Sequence, residues 1–288
     1  MSTPLIQWYP GHIAKAEKEL AKQLAKIDLV IEVRDARIPL STSHPHLQRW
    51  IKEKQHLLVI NRLDMITIDA KETWHKWFRQ NNQIPLWCNA KEGKGIKHIL
   101  QEAINSGKEF NQRRVSRGML KRPVRALTLG FPNVGKSALI NRLVGKKVVQ
   151  SARRAGVTRS LRWVRMGQEL DLLDAPGVLP PRLNDQNSAI RLAICDDIGE
   201  AAYDVESIAI EFIKIIHNSI AITSNKSNLD LFRRRYGIAI PKEESEIYNW
   251  LIEIAKSHTS GSTERMSQRI LDDFRKNILG LIPLEFPQ

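Results

Sequence analysis

Gly130-Phe131-Pro132-Asn133-Val134-Gly135-Lys136-Ser137 has the form G-x-x-x-x-G-K-[ST], the spacing of a loop that wraps phosphate. The apolar run Val124 to Leu129 before it reads as a buried strand, and Ala138 to Val144 after it reads as a helix. The motif needs that strand–loop–helix order. Backbone N–H groups then converge at a helix N-terminus, where the macrodipole favours an anion. The amides of Asn133, Val134, Gly135, Lys136 and Ser137, followed by Ala138, are expected around a β-phosphate. Lys136 is expected to bridge the β- and γ-phosphates, and the Ser137 hydroxyl to meet Mg2+.

Working outward, Leu29 to Val33 and Leu57 to Ile60 read as buried strands, with a shorter one at Ile84 to Trp87. Helical spacing marks 14–26, 47–54, 69–80 and 96–106, the last closed by Gly107. Lys108 to Arg122 shows no period and reads as a basic linker. A strand is expected near 147–151, and 160–166 pairs with 169–173 as a hairpin. Strands alternating with helices predict an α/β fold, a mostly parallel sheet covered on both faces. Such sheets bind ligands at the carboxyl ends of their strands. From about Pro180 the pattern turns helical, over 187–195, 205–219, 229–236, 243–256 and 263–279. Two domains are expected, 1–180 and an all-helical 181–288.

The strand ends carry the other motifs. Asn61-Arg62-Leu63-Asp64 resembles the N-K-x-D loop that specifies guanine. Guanine presents N1–H and N2–H2 as adjacent donors that Asp64 accepts together, and adenine offers no such pair. Arg62 stands where lysine is usual and is suited to lie over the purine face. Cys88-Asn89-Ala90-Lys91 resembles the S-A-K-type loop, whose alanine N–H meets guanine O6. Asp174-Ala175-Pro176-Gly177 resembles D-x-x-G, in which Asp174 holds Mg2+ through water and the Gly177 N–H senses the γ-phosphate. Thr158 lies between the P-loop and D-x-x-G and is the candidate switch threonine on Mg2+.

Charge is distributed unevenly along the 288 residues. The net charge is +14, with a pI near 9.9. Residues 1–189 hold 33 Lys and Arg against 16 Asp and Glu, whereas 190–288 hold 12 against 15. From Phe110 to Gln168 there are fifteen basic residues and no acidic one. A solvated face mixes signs, so this run points to a polyanion, either nucleic acid or an anionic membrane face. Cys88 and Cys195 make no disulfide framework and fit a reducing cytosol. No 18-residue apolar run occurs, so the chain is read as cytoplasmic, without a membrane span. Trp50, Trp74, Trp77 and Trp87 fall in apolar patterns and are read as core. Trp8 and Trp163 are open to stacking on RNA, and Arg233 to Arg235 to an RNA contact or a solvated helix face.

The order of motifs is the informative part. An ordinary GTPase runs from P-loop to guanine loops, and here the guanine loops come first. The same sheet forms if the old termini are joined through 108–122 and the chain is cut after D-x-x-G. With the Trp8-Tyr9-Pro10-Gly11-His12 opening and Arg34-Asp35-Ala36-Arg37-Ile38-Pro39, the whole chain resembles the circularly permuted GTPases of the ribosome biogenesis GTPase A (YlqF-type) family. The resemblance implies GTP hydrolysis stimulated on the ribosome in late maturation of the large ribosomal subunit. It further implies an rRNA partner, Mg2+, and a monomer off the ribosome. Val178, Leu179 and Pro180 cannot orient water, and His12 matches the family histidine to which that role is assigned. Asn133 resembles the asparagine through which some GTPases hold K+. Two other readings stay open on the sequence: a GTP-gated RNA-binding scaffold that barely hydrolyses, and an unrelated P-loop ATPase or kinase, against which Asp64 and Ala90 argue.

Overall fold

Leu29–Asp35 (β1) is buried at every position, as a strand covered on both faces must be. It belongs to a computed structural model that describes residues 6, 20, 22–51, 54–149, 161–175, 177, 185–223 and 227–287, with 219–223 and 227–230 as backbone alone. The other strands are β2 (Gln55–Asn61), β3 (Pro85–Trp87), β4 (Val124–Leu129), β5 (Arg162–Met166) and β6 (Leu170–Asp174). The six form one sheet in the order β3-β2-β1-β4-β6-β5. All neighbours are parallel except β5 and β6, which form the expected antiparallel pair. The register sets Asp35 beside Asn61 and Thr128 beside Asp174. The carboxyl ends of β1, β2, β3, β4 and β6 therefore share one edge, and among the described residues 61–64, 88–91, 130–137 and 174–175 follow from it.

Helices α1 (Leu47–Ile51), α2 (Ile68–Gln80), α3 (Ile96–Ser116) and α4 (Lys136–Val144) return the chain between strands. The Thr67 hydroxyl caps α2 by accepting the Ala70 N–H at 3.2 Å. This helix buries Ala70, Trp74 and Phe78, one per turn. Trp50, Trp77 and Trp87 are half-buried, and Trp163 is exposed. Of the helix expected over 14–26, residues 20 and 22–24 are described and helical.

Two expectations are corrected. The helix expected to stop at Gly107 runs on to Ser116, so only 117–123 joins the two halves of the sheet. Gly107 is there because α3 crosses β4 closely: a Cβ would stand 1.8 Å from Val124 Cγ2. Residues 147–149 form no strand. Asn141 takes the N–H groups of Val148 and Val149 at 2.9 Å each and gives its own amide to the Val149 carbonyl at 2.9 Å, the partners a strand ladder would need.

The remaining helices are α5 (Gln186–Ile194), α6 (Val205–Thr223), α7 (Ser227–Tyr236), α8 (Ile247–His258) and α9 (Thr263–Arg275). Their apolar faces share one cluster with the sheet, which includes Leu29, Ile194, Phe212, Phe274 and Leu284. Arg235 pairs with Asp273 at 2.7 Å, so one of the three tail arginines is held inside this bundle. The C-terminal segment docks on the loop after β1. The Leu284 N–H meets the Arg37 carbonyl at 3.0 Å, and the buried Glu285 carboxylate accepts the N–H groups of Leu40 (2.6 Å) and Ser41 (3.0 Å). Among the described residues, no helix is long and apolar enough to cross a membrane.

Candidate functional site

Residues 130–135 leave β4 as an irregular turn and α4 begins at Lys136. Asn133 (φ 57°) and Gly135 (φ 95°) are both left-handed. At Gly135 a side chain is also excluded, because a Cβ would fall 2.2 Å from Asn61 Nδ2. That close approach is the joint of the site. Asn61 is buried at the end of β2; its Nδ2 donates to the Val134 carbonyl at 2.8 Å and its Oδ1 accepts the Ala90 N–H at 3.0 Å. One side chain therefore ties the Asn61–Asp64 turn, the 88–91 loop and the P-loop together.

Around it the loops are braced further. The Leu63 N–H donates to the Cys88 carbonyl at 3.0 Å. Buried Asn89 accepts the N–H groups of Lys91 and Glu92 at 3.0 and 3.1 Å, which rounds the 88–91 turn. Arg142 of α4 donates to the carbonyls of Ala90, at 3.1 Å, and Lys91. Asp64 lies in a 3-10 turn, half-buried. Burial, with the Asp64 charge adding to it, pushes the Cys88 thiol up to about 12.

Two groups stand differently from their expected contacts. The Ala90 N–H, assigned to guanine O6, is given to Asn61. Arg62, assigned to the purine face, donates Nη2 to the Asn133 carbonyl at 2.6 Å and pairs with Asp35 at 3.1 Å. The pull is Asp35, a fully buried carboxylate that Arg37 and Arg62 hold below the usual range against the effect of burial.

On the phosphate side, Lys136 is buried and donates to the carbonyls of Gly130 (3.0 Å) and Phe131 (2.6 Å). Burial brings its ammonium down to about 8, with Asp174 and Asp197 opposing. Asp174 is buried at the end of β6, and neither carboxylate oxygen has a hydrogen-bond partner. Burial pushes it up to about 6 against Lys136 and Arg162. For both groups burial outweighs their mutual attraction. An orphaned carboxylate beside the P-loop strand suits a hydrated divalent cation. Ser137 and Ala138 lie half-buried in the first turn of α4. Gly177 lies flat on the P-loop: a Cβ would stand 2.7 Å from the N and Cα of Pro132. The Asn133 amide donates to the Asp196 carbonyl at 2.5 Å, just past α5. His12, Thr158 and 178–180 lie outside the described residues.

The residue-level reading missed Asp35 and Arg37, a buried pair at 2.7 Å, and Asp197, buried with both oxygens unpartnered. Charges placed directly after an apolar run were the available signal for the pair, because a strand end in the sheet's interior needs its charges compensated.

The 61–64 loop, the 88–91 loop, the P-loop and the D-x-x-G turn converge on one edge of a mostly parallel sheet, with the P-loop third of the four in the chain. This arrangement defines a circularly permuted P-loop GTPase. The family described as 50S ribosome-binding GTPase matches residues 125–234. Ribosome biogenesis GTPase A of Bacillus pumilus is 31% identical, covering 98% of this chain and 99% of that protein. The Bacillus cereus protein of the same name is 32% identical, covering 99% and 95%. A crystal structure of GNP-bound YlqF from T. maritima shares the fold with a TM-score of 0.61 at 21% identity, covering 95% of this chain and 99% of that one. The chain belongs to the ribosome biogenesis GTPase A family.

Proposed function

We propose that this chain binds GTP across the carboxyl ends of β1, β2, β4 and β6 and hydrolyses it on a precursor of the large ribosomal subunit, late in that subunit's maturation. Asn61 carries the reading: the loop that would hold the base and the loop that would hold the phosphates meet on one buried amide, so they serve one ligand. Two relatives bear the name ribosome biogenesis GTPase A, and the basic half of the chain suits rRNA.

Asp64 reads the guanine edge, with Asn61, Arg62, Leu63, Asn89, Ala90 and Lys91 framing the base. Asn133, Val134, Gly135, Lys136, Ser137 and Ala138 hold the phosphates. Ser137, Thr158 and, through water, Asp174 hold Mg2+. The orphaned oxygens of Asp174 fit that role, and the ion when bound neutralises charge on the β- and γ-phosphate oxygens. Asn133 would hold K+, the Gly177 N–H would sense the γ-phosphate and His12 would position the attacking water. Residues 1–180 form the GTP-binding unit and 181–288 the helical unit, in a cytoplasmic monomer.

Multiple-turnover phosphate release with and without large-subunit particles tests the reading. Particles should stimulate release, and His12→Ala should lower the stimulated rate by roughly 10²-fold or more while nucleotide affinity is kept. Release that particles leave unchanged would overturn hydrolysis on the subunit and leave a GTP-gated scaffold.

A further inference from the structure

The pole of the sheet away from the nucleotide site presents a surface that catalysis does not use. α3 and α4 leave the carboxyl ends of strands and run back, so the end of α3, the 117–123 join and Lys146-Lys147 lie at the opposite pole. Arg113, Arg114, Arg117 and Lys121 crowd this stretch, which contains no acidic residue. Arg117 and Lys121 are exposed and make no ion pair among the described residues. Among the described residues Arg113 pairs only with exposed Glu109, a contact worth little in water. Arg122, by contrast, is committed to the fold: it pairs with Asp28 at 2.7 Å and lies 4.4 Å from the Phe110 ring centre.

Apolar side chains stand among these cations. Leu120 is 87% exposed, Val115 50% and Met119 39%. The backbone beneath them is built: the Met119 N–H donates to the Arg114 carbonyl and Arg114 Nε to the Leu120 carbonyl, each at 3.0 Å. Folding has no use for a leucine this exposed, and a held ridge of cations with an apolar crest matches RNA. Cations take phosphates, and apolar side chains take sugar or the faces of unstacked bases. An anionic membrane shares the charge preference. However, the crest is three side chains, short of the continuous apolar face that holds a helix in a membrane interface.

We propose that Arg114, Arg117, Lys121 and Leu120 form a nucleotide-independent RNA anchor for the large-subunit precursor. This rests on the function proposed above and adds a contact remote from Gly177 and the P-loop, one that holds in both the GTP and the GDP state.

The test uses the full chain carrying Arg117→Glu with Lys121→Glu, and separately Leu120→Ser. Binding to large-subunit particles is measured with GDP and with a non-hydrolysable GTP analogue at several salt concentrations. The double variant should bind about tenfold more weakly in both states alike, with a log–log salt slope smaller by about two. Leu120→Ser should weaken binding without changing the slope. GDP affinity and unstimulated hydrolysis should be unchanged in both. Variants that bind as the wild type does would overturn the anchor and leave the proposed function standing. A wild-type chain that binds particles in neither state would overturn both. A loss confined to the GTP-analogue state would overturn nucleotide independence. Loss of binding to phosphatidylglycerol–phosphatidylcholine vesicles, with particle binding intact, would make the ridge a membrane contact.

Discussion

Buried against two carbonyls, Lys136 keeps its proton less tightly than an exposed lysine, and a bound phosphate would restore it. Binding should therefore take up a proton. In magnesium-free buffer, GDP affinity should be level up to about pH 8 and decline above it, approaching tenfold per pH unit. Titrations between about pH 7 and 9 check this linkage; a level curve throughout refutes it. Asp174 works the other way in the ligand-free fold. Its carboxyl is raised from 3.8 to about 6, so the folded state binds the proton better than the unfolded chain does. Stability is then lost as pH rises through that interval. Asp174→Asn should stabilise the nucleotide-free protein at pH 7 by on the order of 2 kcal/mol, and abolish the gain in nucleotide affinity from Mg2+. Urea denaturation should show the difference at pH 7 and lose most of it near pH 4, a window set by the same shift. At Asp64 the geometry concerns identity rather than stability. Asp64→Asn should weaken guanine nucleotides by about tenfold or more and improve xanthine nucleotides, whose 2-oxo group needs a donor. Competition against a fluorescent GDP analogue measures both, and unchanged guanine preference would remove Asp64 from recognition.

At the scale of elements, legibility followed burial. β1, β2 and β4 read clearly because each carries the apolar run of a strand covered on both faces, and each opens into a motif. α3 was half legible. Past Gly107 it is held by Asn111, which bonds the Arg122 backbone, and by arginines over Phe110, so no apolar stripe announces it. The bond from Asn61 to Val134 and Ala90 was not legible at all, since it depends on three loops meeting in space. The depth of Asp35 and Arg37 was hinted at only by their place directly after an apolar run, since two charges there also resemble an ordinary exposed turn. Gly107 turns this into a prediction. Gly107→Ala gains about 1 kcal/mol of helix propensity, but its Cβ would meet Val124 at 1.8 Å. Overpacking a rigid core costs about 1–3 kcal/mol, so a net loss of about 1 kcal/mol is expected. Combining it with Val124→Ala should recover part of that loss beyond additivity in a urea-denaturation cycle. Strict additivity would place the cost elsewhere.

The whole molecule joins its nucleotide edge to its helices through several contacts. Gly177 lies on Pro132, Asn133 reaches Asp196, and Arg37 donates to the Cys195 carbonyl at 3.4 Å while its own carbonyl takes the Leu284 N–H. Glu285 then anchors the C-terminal segment on Leu40 and Ser41. In an ordinary GTPase the second switch is tethered to the sheet at both ends, whereas here it leads into the helical unit. A γ-phosphate that draws on Gly177 is present in only one of the two nucleotide states, and such a differential contact is what shifts a conformational equilibrium. Affinity for the large-subunit precursor should accordingly be about five- to 150-fold higher with a non-hydrolysable GTP analogue than with GDP, the usual range of such coupling. Gly177→Ala should narrow the ratio by forcing the turn off Pro132. Glu285→Ala should narrow it too, because the buried Ser41 N–H and the part-buried Leu40 N–H lose their acceptor and the C-terminal segment loosens. That loss should also cost about 2–4 kcal/mol of stability. The two variants separate the routes: Glu285→Ala with full coupling and reduced stability would confine the segment to a structural role. Equal affinity of the wild type in both states, measured at one salt concentration because phosphate contacts are salt-sensitive, would remove the switch itself.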